Sequence, residues 1–303
     1  MSVTLYSIIF ALGIIGNGLV IWIAGFRMKK TISAVWFLNL AIADFLCCAS
    51  LSLRIAELVS HWENSRHFCT LSIFFFLLNM SASVLLLTAM SIDRCVSVMW
   101  PFWAKIHRTC KLVRISAAII WVLSFLLTCI LYYTYESHLN DLSEWCVLFF
   151  SYSLYFCDRK QAIQLIRLFI MFVIPFLIIL ISYYVILIKL RKSKRSRRSQ
   201  RPYRIITAII LCFFICWCPY YIWPLTLMYS GKTFILHTVY IIIVNLACFN
   251  SCINPIIYVL MGQDFKHSFF RSIPSRLERA LSDQPNDLCR ESEGCQHVFT
   301  KYV

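Results

Sequence analysis

Asn254-Pro255-Ile256-Ile257-Tyr258, followed by Gly262-Gln263-Asp264-Phe265, closes an apolar run from Phe234 to Met261 that contains no Asp, Glu, Lys or Arg. Such a run is long enough to cross a bilayer, for which about 20 apolar residues suffice. Asn250, Asn254 and Tyr258 recur at every fourth position and so share one helix face. Pro255 has no amide hydrogen, so the Ser251 carbonyl loses its usual helical partner. The backbone there must bend, or borrow a side chain or a water. Polar groups at this depth are costly unless they face protein or trapped water. Taken singly, each fits simple glue between helices. Spaced like this around a proline, they read as a hinge.

The rest of the chain has the same character. It has 303 residues, is 60% hydrophobic and has a mean hydropathy of +0.73. Soluble domains are about 45–50% apolar, so the composition is that of a membrane protein. The net charge of +15 invites a nucleic-acid reading, but the basic residues sit in alternate connections between apolar runs. That pattern encodes orientation relative to the cytoplasm and leaves no role for nucleic acid. The fifteen cysteines are scattered, mostly within apolar runs, where Cys behaves as a small hydrophobe. The first run lacks a basic leader and reads as a spanning helix, not as a cleavable signal.

Seven runs of spanning length follow one another: about Val3–Phe26, Ala34–Val59, Thr70–Met99, Ile115–Tyr135, Gln161–Leu190, Tyr203–Tyr229 and Phe234–Met261. Arg27, Lys29 and Lys30 place the end of the first run in the cytoplasm and the N-terminus outside. Lys105, Arg108, Lys111 and Arg114 make the second basic connection, and Arg191 to Arg201 the third. That third run reads as a cytoplasmic connection near anionic lipid. The outer loop, about Glu136–Lys160, carries Cys146 and Cys157. Gln263–Arg271 alternates Phe265, Phe269 and Phe270 with Lys266, His267 and Arg271, the pattern of an amphipathic helix on the inner leaflet. Residues 272–303 are polar and are expected to be a disordered tail. The expected fold is therefore an all-α membrane protein. Residues 1–271 would form a seven-transmembrane helix bundle with a short amphipathic cytoplasmic helix after the seventh span. No internal repeat is visible, which weighs against a transporter.

Motifs occur in order, each in its own run: Gly16-Asn17, Leu40-Ala41-Ile42-Ala43-Asp44, Asp93-Arg94-Cys95, Trp121, Pro175 with Tyr183, Cys216-Trp217-Cys218-Pro219 and Asn254-Pro255-Ile256-Ile257-Tyr258. Together they resemble the rhodopsin-like (class A) G-protein-coupled receptors over about Leu5–Arg271. Narrower segments resemble the chemerin (chemokine-like) and formyl-peptide chemoattractant receptors. They are Gly16-Asn17-Gly18-Leu19-Val20-Ile21-Trp22, Met28-Lys29-Lys30-Thr31, Cys216-Trp217-Cys218-Pro219-Tyr220, Met261-Gly262-Gln263-Asp264-Phe265 and Leu277-Glu278-Arg279-Ala280-Leu281-Ser282.

The resemblance implies a multi-pass receptor of the plasma membrane. It would bind an extracellular chemoattractant peptide and activate a heterotrimeric G protein of the inhibitory class by opening its cytoplasmic face. No enzyme constellation stands out. Arg167 lies about two turns outside Pro175. In this branch the matching arginine receives an anionic peptide group; snorkelling to outer headgroups fits the spacing equally well. Phe76, Trp217, Tyr220 and Tyr221 complete the expected ligand site. Asp44 is the one carboxylate deep in a span, with Asn17, Asn79, Ser83, Asn250, Ser251 and Asn254 as candidate partners. This oxygen-rich set suits a hard cation, and the resemblance implies Na⁺ there; a hydrogen-bonded cluster without an ion is the alternative. No other metal and no organic cofactor is expected.

For the inner face, the resemblance implies that Asp93 holds Arg94 at rest and releases it towards Tyr183 and Tyr258. Pro219 frees the Ile215 carbonyl and lets the sixth helix swing, with Trp217 sensing ligand and Phe213 repacking below. A core aromatic stripe would have the same spacing. The resemblance also implies a Cys69–Cys146 disulfide, with Cys157 left free or competing. Ser272, Ser275, Ser282 and Ser292 would recruit arrestin once phosphorylated. A receptor that scavenges ligand without signalling is the closest rival reading, and a channel or transporter the more distant one.

Overall fold

In lipid, an uninterrupted apolar run satisfies its backbone amides by folding as a helix. A computed structural model of the protein describes residues 2–28, 30–60, 65–136, 165–192, 201–230 and 234–261, and every regular element among them is helical. Seven helices are long and apolar enough to cross a membrane. They are Val3–Arg27, Ile32–Ala56, Thr70–Met99, Cys110–Tyr133, Leu165–Lys189, Ile206–Trp223 and Val239–Tyr258, the first to seventh spans below.

The fourth helix starts earlier than the apolar run at Ile115, because it extends from Cys110 to Glu136. Thr109 caps it: its Oγ1 accepts the Leu112 N–H at 3.2 Å. Lys111 and Arg114 therefore sit inside the helix, exposed near its start. The connection before it also holds a short helix, Pro101–His107, whose opening proline is the local signal.

The third span packs against the second, fourth, fifth and sixth, while the seventh packs against the first, second and sixth. The third and seventh spans are the most buried; the fourth and fifth present side chains such as Ile119, Val122, Ile130 and Ile181 outward. An apolar exterior around a partly polar interior is what a hydrocarbon solvent favours.

Two short stretches widen to π turns. At Ile23–Arg27 the Met28 N–H reaches back to the Ile23 carbonyl at 2.9 Å. At Phe169–Val173 the Ile174 N–H reaches back to the Phe169 carbonyl, directly before Pro175, where the ladder lacks a donor. A π turn re-aims what precedes it, and Arg167 is only 5% exposed although Ile166 and Phe169 face outward.

Glycines let the first span approach closely. A Cβ on Gly13 would meet Cys48 Sγ at 2.1 Å, and one on Gly16 would meet Pro255 Cβ at 3.1 Å. The expected amphipathic helix at 263–271, the tail at 272–303, the outer loop with Cys146 and Cys157, and Lys194 lie outside the described residues. The Cys69–Cys146 pairing therefore falls outside them too.

Candidate functional site

The hinge read from the sequence has a specific partner. Pro255 removes the donor that would have served the Ser251 carbonyl, and Asn17 Nδ2 of the first span donates to that carbonyl at 2.8 Å. The same amide also donates to the Gly13 carbonyl at 3.0 Å. Gly16 leaves room for Pro255 beside it. Gly16-Asn17 and Asn254-Pro255 are thus two halves of one contact.

Around this contact lies a buried polar layer. Asp44 is 0% exposed, and its Oδ2 accepts from Asn254 Nδ2 at 2.7 Å. Asn79 Nδ2 donates to Ser251 Oγ at 3.1 Å, and Ser83 Oγ donates to Asn79 Oδ1 at 3.1 Å. The structure so joins Asp44 with Asn254, and Asn79 with Ser83 and Ser251. Asn250 is buried one turn before Asn254, and neither of its side-chain polar atoms has a partner among the described residues. Oδ1 of Asn17, Asp44, Asn250 and Asn254 are likewise buried without a hydrogen-bond donor there. No group of three His, Cys, Asp or Glu forms a metal cluster among the described residues. One carboxylate among neutral amide and hydroxyl oxygens is a donor set fitted to a hard cation of low charge.

Near the start of the fifth span, Arg167 meets the sixth span. Its Nη1 donates to Tyr220 Oη at 3.4 Å, and its guanidinium carbon lies 5.1 Å from the Tyr220 ring centre and 5.7 Å from that of Tyr221. A guanidinium over tyrosine faces is held inside the bundle, where a snorkelling side chain would have left it. Phe76 of the third span packs 5.3 Å from Trp217 and 5.6 Å from Tyr220. Below them Phe213 lies 5.9 Å from Trp217. The expected ligand-site residues are therefore contiguous. Sequence reasoning missed the aromatics that back them: Phe172 stands 4.9 Å from Tyr221, and Phe176 stands 4.6 Å from Phe214.

At the end of the third span the structure corrects one expectation. Sequence reasoning assigned Asp93 to Arg94; the structure places Arg108 on it, with Nε on Oδ1 at 2.6 Å and Nη2 on Oδ2 at 2.5 Å. Neighbouring helix residues project in different directions, so Asp93 meets the inner connection while Arg94 turns elsewhere. Arg94 donates from Nη2 to Ser33 Oγ at the start of the second span. Tyr258 is buried and packs on Phe37 at 4.7 Å, and Tyr183 packs against the core. Trp121 ties the fourth span to the second by donating from Nε1 to Asn39 Oδ1 at 2.9 Å. Neither Arg108 nor Asn39 carried a signal beyond its residue type.

A bundle of seven apolar helices with a buried polar layer is the architecture expected of a heptahelical membrane receptor. The sequence profile of the 7 transmembrane receptor (rhodopsin family) matches residues 16–258, and the chain belongs to that family. Its relatives lie in the chemoattractant branch. It is 40% identical to Chemerin-like receptor 1 of Sus scrofa, covering 99% of this chain and 86% of that protein. Identity to the C3a anaphylatoxin chemotactic receptor of Danio rerio is 36%, over 98% and 81% of the two chains. Identity to N-formyl peptide receptor 3 of Homo sapiens is 33%, over 94% and 86%. The protein is a multi-pass receptor and not an enzyme.

Proposed function

We propose that the receptor binds an extracellular chemoattractant peptide in its outer half and activates a heterotrimeric G protein, of the inhibitory class, at its inner face. The carrying observation is the buried Arg167, laid over Tyr220 and Tyr221 beside Trp217. A guanidinium in a low-dielectric aromatic pocket favours a carboxylate, which it binds through two parallel hydrogen bonds. The names of the three relatives above, a chemerin-like, an anaphylatoxin and a formyl-peptide receptor, support a peptide or small protein as the ligand class.

The route inward would run through two bendable helices. Trp217 and Phe213 stand one turn apart on the helix that Pro219 can bend, and the hinge at Pro255 rests on Asn17. Agonist acts by binding the state with an open inner face more tightly than the closed one. Arg94 would then leave Ser33, and its planar donor fork suits the carbonyls of a G-protein tail helix. The oxygens around Asp44 would hold Na⁺ in the closed state. Orientation with the N-terminus outside and phosphorylation-dependent arrestin binding complete the reading.

A nucleotide-exchange screen tests it. Cells expressing the full chain are challenged with chemerin-derived, anaphylatoxin-derived and formylated peptides, and G-protein activation is recorded beside peptide binding. One class drives exchange if the reading holds. Binding without exchange makes the protein a scavenger, and an ion current in place of either makes it a channel.

A further inference from the structure

Residues 167 and 172 of the fifth span would point roughly 140° apart in a regular α-helix of 3.6 residues per turn. The π turn at Phe169–Val173 takes up one extra residue between them, and both side chains meet the same ring of the sixth span. The Arg167 guanidinium carbon lies 5.7 Å from the Tyr221 ring centre, and the Phe172 ring lies 4.9 Å from it at 37°. Phe172 is itself fixed by its neighbours. It stacks on Phe176 at 6.3 Å and 9°, and it meets Phe214 edge-on at 5.2 Å. Phe176 and Phe214 are 4.6 Å apart, which closes a block of rings between the two spans.

An arginine side chain has several freely rotating bonds, and a ligand that must first order them binds less tightly. Tyrosine faces reduce that cost by holding the guanidinium through its charge. Tyr220, 5.1 Å from the guanidinium carbon, supplies one such face, and Tyr221 supplies the second. Tyr221 is 2% exposed and is packed from the fifth-span side by Phe172. An aliphatic residue at 172 would keep the burial but lose the ring contact that fixes the tilt of Tyr221.

We propose that Phe172 is a positioning residue for Arg167. Through Tyr221 it holds the guanidinium ready for a ligand carboxylate, and so it sets how strongly the site prefers a free acid to the matching amide. The proposal rests on the peptide reading above, in which Arg167 receives that carboxylate.

The test is competition binding to the full chain in nanodiscs, with one chemerin-derived peptide as the free acid and as the amide. Phe172→Leu should weaken the free acid about fivefold and leave the amide within about twofold. Phe172→Tyr, which keeps the ring, should retain the preference for the acid. Phe172→Met serves if Phe172→Leu does not fold. Equal weakening of acid and amide, or no change in either, overturns the proposal. A second measurement needs no ligand: melting of Phe172→Leu, Arg167→Met and the double variant. Their effects should be non-additive in the natural chain and additive once Tyr221 is replaced by Leu. If Arg167→Ala leaves the acid preference intact, or neither peptide binds, the peptide reading fails and the melts alone decide. Additive effects in the natural chain then overturn the positioning role.

Discussion

Asn17 shows how much a single amide can carry in a bilayer. It donates to the carbonyl that Pro255 leaves without an amide, and water cannot replace it cheaply at that depth. Asn17→Ala should lower stability by about 1–3 kcal/mol, the cost of a buried acceptor left unsatisfied. Asn17→Asp, which cannot donate when ionised, should be no better; thermal melts of purified receptor check both. Arg167 is the corresponding residue in the proposed peptide site. Arg167→Ala should weaken a peptide with a free C-terminal carboxylate by roughly 10- to 100-fold, as loss of a charge-assisted bond requires. The amidated peptide should be nearly indifferent, and unaltered affinity of the free acid in competition binding would remove the carboxylate from the reading. Asp44→Asn should abolish any reduction of agonist affinity by Na⁺; an ion effect that survives the substitution places the cation elsewhere.

Helices meet where side chains are small, and the first and second spans illustrate it. A methyl on Gly13 would lie 2.8 Å from Cys48 Cβ as well as 2.1 Å from its sulfur, so the backbones must part. Gly13→Ala should therefore cost about 1–3 kcal/mol, the usual range for overpacking. Cys48→Ala should return part of it, since the sulfur is the nearer obstacle; a melting series of both single variants and the double variant measures this. At the end of the third span, Arg108 fastens that span to the connection beyond it through both oxygens of Asp93. The element scale also shows what was legible. Long apolar runs with few charges announced the spans, because about 20 such residues in sequence suit a bilayer crossing. The start of the fourth was misplaced because Lys111 and Arg114 looked like loop, whereas Thr109 caps a helix that includes them. The proline hinge was visible as a missing donor, but its rescuer, 234 positions away in sequence, was not. Arg108 was one of several cations in a basic connection, and only the fold selects it for Asp93.

As a whole, the molecule holds an aromatic cluster around Trp217, a hydrogen-bonded amide layer around Asp44 and Ser251, and Arg94 against Ser33 at the start of the second span. The third span touches the second, fourth, fifth and sixth, so most of the bundle packs on it. Packed interfaces switch between discrete arrangements more readily than they deform, which suits such a chain of contacts to transmission. The central claim is that occupancy at Arg167 controls exposure of Arg94. The most direct measurement records peptide binding and G-protein nucleotide exchange together on one preparation in nanodiscs, for the natural chain and for Arg94→Ala. Binding should persist in both, and peptide-driven exchange should vanish only in the variant. Undiminished exchange by Arg94→Ala would contradict the account.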